Sequence, residues 1–357
     1  MSSMTRVLLS GRVYDHQVGG NTRYVRSVYD RIAEHGVEFQ VGRLPRSVNR
    51  GKVRSAAFAL AEGVVWPRFT PSDVDVVHFP ADTGSVVKSG KPVVGTIHGL
   101  ATLHMPGVRS TGADALWKGR VRRLARTSDR IVTVSQTSAD DIAFFEPSAA
   151  ERIEVIHHGI DHEKFNTRPL SGAEAALSEL GVPERYFFYA GNLDPRKNVV
   201  ALTEAASTTF RATGVPLVIS GAPAWDSEEI LRSVRGTEGV IYLGRVPDDS
   251  LITLMQNAVA FCFPSHYEGF GFPVLEAMAC GSPVICSDKG SLAEVAGGAA
   301  LVLDKRDPDT IAQAMQHLLA SPGEQERLRG AGLANAARFD WDSSSARHAE
   351  IFHSLAR

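Results

Sequence analysis

The feature that most restricts this chain is a recurring pair: a short unbroken apolar run, then a longer amphipathic stretch. The runs in the first half are Arg6–Ser10, Val37–Val41, Val74–Phe79, Val93–Ile97 and Arg130–Val134. In the second half they are Tyr186–Ala190, Pro216–Ser220, Val240–Leu243, Ala258–Phe263, Pro283–Ser287 and Ala300–Val302. They are rich in Val, Ile and Phe and do not alternate apolar with polar. Strands of that kind are buried on both faces, the condition of a parallel sheet covered by helices. Helical patterns such as Thr22–Glu34 and Pro308–Leu319 lie between them. The expected class is α/β with parallel sheets. A separator near residues 166–172, with Pro169 and Gly172, splits the runs five and six. Two doubly wound domains are expected, residues 1–165 and 166–338. A single (β/α)8 barrel is the rival, and the number of runs and the separator count against it.

The length, 357 residues, suits two domains. Net charge is −2, which argues against wholesale nucleic-acid binding. The halves differ: residues 1–165 carry 22 Lys and Arg against 17 Asp and Glu, and the remainder 16 against 23. A basic half beside an acidic one suggests that one lobe meets an anionic ligand or surface. Cys262, Cys280 and Cys286 form no CxxC and no His/Cys cluster, so neither a disulfide framework nor a structural zinc is expected. The apolar run at the start, Val7–Leu9, is too short for a signal-peptide core, and no stretch approaches about 18 apolar residues. A soluble, cytoplasmic protein is expected.

Segment 261–290, FCFPSHYEGFGFPVLEAMACGSPVICSDKG, is the most informative. A strand ends at Phe263, a loop holds Gly269 and Gly271, and Pro273 suits the first turn of a helix that Gly281 would cap. The loop Glu268–Phe272 then offers backbone N–H groups of Gly269, Phe270, Gly271 and Phe272 at a helix N-terminus, an anion site fit for phosphate. Two glycines let a ligand approach the backbone. Glu268 and Glu276 beside an anion site suit hydroxyl groups rather than the phosphate itself, one on a sugar and one on a ribose. Plain surface and capping roles for both remain open.

Glu268 and Glu276, seven residues apart within YEGFGFPVLEAMACGSPVI, resemble the E-x7-E signature of retaining nucleotide-sugar glycosyltransferases of the GT-B fold. The similarity is greatest to family 4 and its bacterial mannosyltransferase-like members. FFYAGNLDPRKN (187–198), VISGAPAW (218–225), GRVPDDSLITLMQNA (244–258) and GSLAEVAGGAALVLD (290–304) are similar to other stretches of that family. So are GGNTRY (19–24), TIHGL (96–100), VTVSQTSADDI (132–142) and VIHHGID (155–161). The resemblance implies two Rossmann-like domains with the reaction in the cleft between them. It also implies a last helix, within residues 339–357, that crosses back to the N-terminal domain. The donor would be a nucleotide-hexose, GDP-mannose favoured and a UDP-hexose possible. The acceptor would be a hydroxyl of a glycan, lipid-linked or other glycoconjugate. Glu268 would hold the hexose and Glu276 the ribose. The resemblance also implies that no cofactor and no metal are needed. A glycogen- or sucrose-synthase-like glucosyltransferase and an inactive nucleotide-sugar-binding module are the alternatives.

Further residues fit that chemistry. Lys197 follows a strand end, and a cation there neutralises a departing diphosphate. Many relatives carry Gly-Arg five residues before this Lys, where the chain has Gly191-Asn192, so Arg196 is the expected substitute. Gly19 and Gly20 precede a helix, and their amides would face the diphosphate. His98 ends the fourth strand, where the topology of open sheets places ligands, and it would meet a sugar hydroxyl. Ser135 would cap a helix or meet the acceptor. Asp73-Val74-Asp75 reads as charge at a strand edge rather than a metal-binding DxD. Trp117–Arg130 is a basic amphipathic stretch that would either face water on its own domain or lie on an anionic membrane.

Overall fold

The computed structural model describes residues 4–15, 19–45, 51–105 and 110–356. The chain divides into two units: Met1–Gly159 with Asp340–Arg357, and Ile160–Phe339. The first unit holds β1 (Thr5–Ser10), β2 (Val37–Gly42), β3 (Val76–Phe79), β4 (Val93–Ile97), β5 (Arg130–Thr133) and β6 (Ile153–Val155). They form one parallel sheet in the order β2-β1-β3-β4-β5-β6. The second holds β7 (Phe187–Ala190), β8 (Leu217–Ser220), β9 (Val240–Gly244), β10 (Ala260–Phe263), β11 (Val284–Ser287) and β12 (Leu301–Leu303), parallel in the order β12-β11-β10-β7-β8-β9.

Every expected run overlaps a strand, because unalternating Val, Ile and Phe need cover on both faces. β3, β4, β7, β8, β10 and β11 are buried along their whole length. The expected count falls one short. β6 is a three-residue edge strand whose middle residue, Glu154, pairs with Arg130 of its neighbour. A charge at its centre removes the apolar run by which the others are read.

The strand orders fix where ligands approach. In the first unit the order reverses between β1 and β3, and in the second between β7 and β10. Open parallel sheets bind ligands outside the carboxyl ends of strands at such reversals.

The chain passes between units six residues before the expected boundary at 165. The two crossings are neighbours, since the Ile160 amide donates to the Phe339 carbonyl at 3.0 Å. The last helix, Trp341–Leu355, is capped by Asp340 and belongs to the first unit. It packs on the helix Gly20–Tyr29, on the turn Ile32–His35 and on β1, burying Ala349, Ile351 and Phe352. Ser345 donates to the Val28 carbonyl at 2.9 Å.

Candidate functional site

The strongest concentration of buried charge lies at the β7/β10 reversal of the second unit. β7 ends at Ala190, and the following loop carries Asp194, Arg196 and Lys197. Asp194 is buried and accepts the Arg196 amide at 3.1 Å, starting the short turn Pro195–Lys197. Pro195 fixes the backbone at the first turn position. The turn therefore delivers two adjacent cations to one place. β10 ends at Phe263, and its loop brings Glu268 to meet them. Lys197 Nζ donates to Glu268 Oε1 at 2.6 Å, and Arg196 Nη1 to Oε2 at 3.0 Å. Arg196 Nε lies 3.7 Å from Asp194 Oδ1. Lys197 Nζ also sits 4.8 Å from the centre of the Phe263 ring.

Lys197 is 7% exposed and Glu268 6%, so this pair is screened little by water. Burial pushes the Glu268 carboxyl upward, but Lys197 and Arg196 outweigh it and hold it below the ordinary carboxylate range. Burial also lowers the Lys197 ammonium, with Arg196 adding to the effect and Glu268 opposing it, and the net direction is down. Two cations thus meet two carboxylates, Glu268 and Asp194, in one buried cluster.

The loop bearing Glu268 is clamped from β11. Ser291 donates its amide to the Glu268 carbonyl at 3.0 Å and its hydroxyl to the Phe270 carbonyl at 2.7 Å. Gly290 lies so close that a Cβ on it would stand 2.3 Å from the Glu268 carbonyl oxygen. Gly271 caps the helix Phe272–Ala279 at φ +105°, and a Cβ there would stand 2.6 Å from Leu292. Both positions require glycine. The rings of Phe270 and Phe272 meet edge to face at 5.3 Å. Gly269 is partly exposed beside Glu268, and Glu276 is buried one turn inside the helix. The arrangement joins a helix N-terminus to two cations, a combination that suits a phosphate group. Asn192, on the same loop as Lys197, is exposed, and its carbonyl accepts the Tyr189 hydroxyl at 3.2 Å.

In the first unit, Gly19 and Gly20 are exposed at the start of the helix Gly20–Tyr29, with Gly19 at φ +122°. His98 follows β4 and is partly exposed. Its amide donates to Asp82 Oδ1 at 2.8 Å, and its Nε2 lies 3.1 Å from the Pro80 carbonyl. A carbonyl only accepts, so Nε2 carries the proton and Nδ1 is the ring's acceptor. Desolvation holds the imidazole below its usual pKa. Ser135 takes the capping role expected of it: it is buried, and its hydroxyl accepts the Ser138 amide at 3.1 Å as the cap of the helix Gln136–Phe145.

The basic stretch forms the helix Thr111–Thr127. Val121 and Leu124 face the core with Trp117 against it. Four of its five cations meet partners on their own unit: Lys118 with Asp114, Arg120 with Glu62, and Arg122 and Arg126 with Glu146, while Arg123 is exposed. Asp73 and Asp75 both engage Arg6. No helix among the described residues is long and apolar enough to cross a membrane. Asp194, Gly290 and Ser291 were not singled out as site residues in the sequence. Asp194 carried a readable signal, since Asp two residues before Arg196 across a Pro is an Asx-turn pattern.

Comparison with known proteins agrees in both halves. Residues 18–164 match the model of Glycosyltransferase Family 4, and residues 176–333 that of Glycosyl transferases group 1. The chain is 37% identical over 218 residues to the O-antigen chain mannosyltransferase B of Escherichia coli, covering 60% of this chain and 57% of that protein. It is 29% identical over 299 residues to the MMP alpha-(1->4)-mannosyltransferase of Mycolicibacterium hassiacum, covering 78% and 70%. Among solved structures, sucrose-phosphate synthase from Thermosynechococcus elongatus aligns with TM-score 0.76 at 19% identity, covering 98% of this chain and 99% of that one. Anabaena HepE in complex with UDP-glucose aligns with TM-score 0.73 at 18% identity, covering 98% and 100%. With two parallel six-stranded sheets and both halves matched, the chain belongs to the group 1, family 4 glycosyltransferases of the GT-B fold.

Proposed function

We propose that this glycosyltransferase moves a hexose, mannose by preference, from GDP-mannose to an acceptor hydroxyl of a glycan, lipid-linked or other glycoconjugate, with retention at the anomeric carbon. The observation that carries the reading is the buried Lys197–Glu268–Arg196 cluster at the strand reversal of the second unit. Lys197 and Arg196 neutralise the departing diphosphate, together with the amides of Gly269, Phe270, Gly271 and Phe272, so the charge is met without a metal ion. Glu276 holds the ribose and Glu268 the hexose hydroxyls, while Asn192 donates a neutral hydrogen bond. On the first unit, Gly19 and Gly20 offer amides suited to an anion, and His98 Nδ1 accepts from a sugar or acceptor hydroxyl. In same-face transfer the leaving phosphate oxygen takes the acceptor proton, and no second carboxylate need flank the anomeric carbon. Mannose is favoured by the two mannosyltransferase relatives. Three buried free thiols suit a reducing, cytoplasmic setting.

A thermal-shift panel of GDP, UDP, ADP and dTDP tests the donor. A ligand at 100 times its Kd stabilises by about 2.7 kcal/mol, and GDP is expected to give the largest shift. The largest shift with UDP would move the donor to a UDP-hexose, the kind held by HepE. No shift with any nucleotide would remove the site.

A further inference from the structure

The first unit contains a buried chain of five hydrogen bonds whose direction is fixed throughout. His348 Nδ1 lies 2.7 Å from the Ser344 carbonyl, so it must donate there. Its Nε2 is then an acceptor, and Tyr24 Oη, 2.7 Å away, donates to it. That uses the single tyrosine proton, so Thr96 Oγ1 donates to Tyr24 Oη across 3.0 Å. Thr96 must then accept from His78 Nε2 at 2.9 Å, and His78 Nδ1 accepts from the Tyr29 hydroxyl at 2.6 Å. Tyr24, Tyr29, His78, Thr96 and His348 are all buried. The chain binds three elements at one node. Tyr24 lies one turn inside the helix that Gly20 opens, Thr96 lies on β4 two residues before His98, and His348 lies on the last helix.

The ring of Tyr24 does something else. It meets the His98 ring edge to face, with centroids 4.9 Å apart, and the His158 ring at 5.0 Å. His158 in turn contacts Trp341, in the first turn of the last helix, at 5.6 Å. One side of the His98 imidazole is therefore set by Tyr24, while the Pro80 carbonyl and Asp82 fix its Nε2 and its backbone.

We propose that Tyr24 is a positioning residue of the transfer reaction: its hydroxyl locks the last helix to β4, and its ring holds His98 with Nδ1 aimed for hydroxyl acceptance. The inference rests on the reading of His98 given under Proposed function. It makes the last helix part of the scaffold of the site rather than a tail. Tyr29 is the matched control, being equally buried and in the same hydrogen-bond chain, yet not among the rings that His98 meets.

The test compares full-length wild type, Tyr24→Phe and Tyr29→Phe. GDP release from GDP-mannose gives kcat, calorimetry gives GDP affinity, and long-range 1H–15N spectra of histidine-labelled protein give ring tautomers. Wild type is expected to show His348 protonated at Nδ1, and His78 and His98 at Nε2. Tyr24→Phe is expected to lower kcat by at least about tenfold, as small misplacements of reacting groups do, with GDP affinity unchanged and the His98 nitrogens shifted. Tyr29→Phe is expected to retain kcat within about twofold, its cost falling on stability through the His78 Nδ1 that loses its donor. Equal slowing of both variants, or wild-type kcat in Tyr24→Phe, overturns the positioning role while leaving the transferase reading intact. A wild-type chain that releases no diphosphate from any nucleotide-hexose fails that reading itself and the positioning role with it.

Discussion

Replacing Glu268 by Gln isolates the charge logic of the donor site. The substitution keeps the side-chain volume and one carbonyl acceptor, but it removes the anion that Lys197 and Arg196 share. Lys197 is 7% exposed, so its ammonium is left largely out of water when its partner is removed. Removing one partner of a buried pair costs about 3–5 kcal/mol, and the retained carbonyl favours the lower end. For a unit of this size each kcal/mol moves the midpoint by roughly 2–4 °C, so a fall of about 6–12 °C is expected at neutral pH. The penalty also has a pH signature. The Lys197 ammonium is already lowered by burial, and loss of Glu268 lowers it further. The unfolded chain then binds a proton that the folded one resists, so stability rises with pH and the deficit shrinks as pH climbs toward the unfolded lysine value, about 10.4. An added anion should replace the missing charge, so pyrophosphate should raise the midpoint of Glu268→Gln more than that of wild type. Calorimetric melts between about pH 6 and about pH 9, with and without pyrophosphate, measure all three effects. A variant that melts with wild type, or a deficit that stays constant with pH, would refute the charge-sharing account.

Other outcomes follow from single contacts. Gly271→Ala places a Cβ at 2.6 Å from Leu292 in a left-handed conformation, and urea unfolding should show a loss of about 1–3 kcal/mol; an unchanged midpoint would mean the loop relaxes freely. Burial, and His98 nearby, hold His348 down to about 4 against an opposing bond to the Ser344 carbonyl. Its contribution is therefore present above the unfolded value near pH 6.5 and is lost as pH falls toward 4, worth roughly 3 kcal/mol at about 1.4 kcal/mol per unit. A flat stability profile across that window, followed by the near-ultraviolet signal of the buried tyrosines, would contradict the neutral ring. Arg196→Ala should weaken GDP more than GMP by calorimetry if Arg196 neutralises the diphosphate as proposed; equal losses would confine Arg196 to orienting Asp194 and Glu268.

The α/β class was legible because parallel strands covered on both faces leave unalternating Val, Ile and Phe runs, and β6 was missed because Glu154 interrupts its run. The loops holding Lys197 and Glu268 were each readable from a strand end, a proline or glycine and a following helix. Their pairing was not, since 71 residues separate the two side chains and only the strand order β10-β7 brings them together. For the same reason Arg196 was open between phosphate and solvent, whereas in the structure it turns to Glu268 and Asp194. The capping role of Ser135 was readable from its place between a strand end and a helix start, and the structure has it there. The histidines show the hardest limit: His78 and His348 each look solitary in sequence, and only the docking of the last helix makes them links of one chain.

Turnover of GDP-mannose by wild type and Lys197→Ala tests the central claim most directly. Wild type should release GDP and leave the mannose α-configured at its former anomeric carbon, read by NMR immediately after transfer. Lys197→Ala should slow release by at least about thirtyfold, the lower bound for unpairing a buried charge from its partner. Lys197→Ala turning over at the wild-type rate, or a product of inverted configuration, would contradict the account.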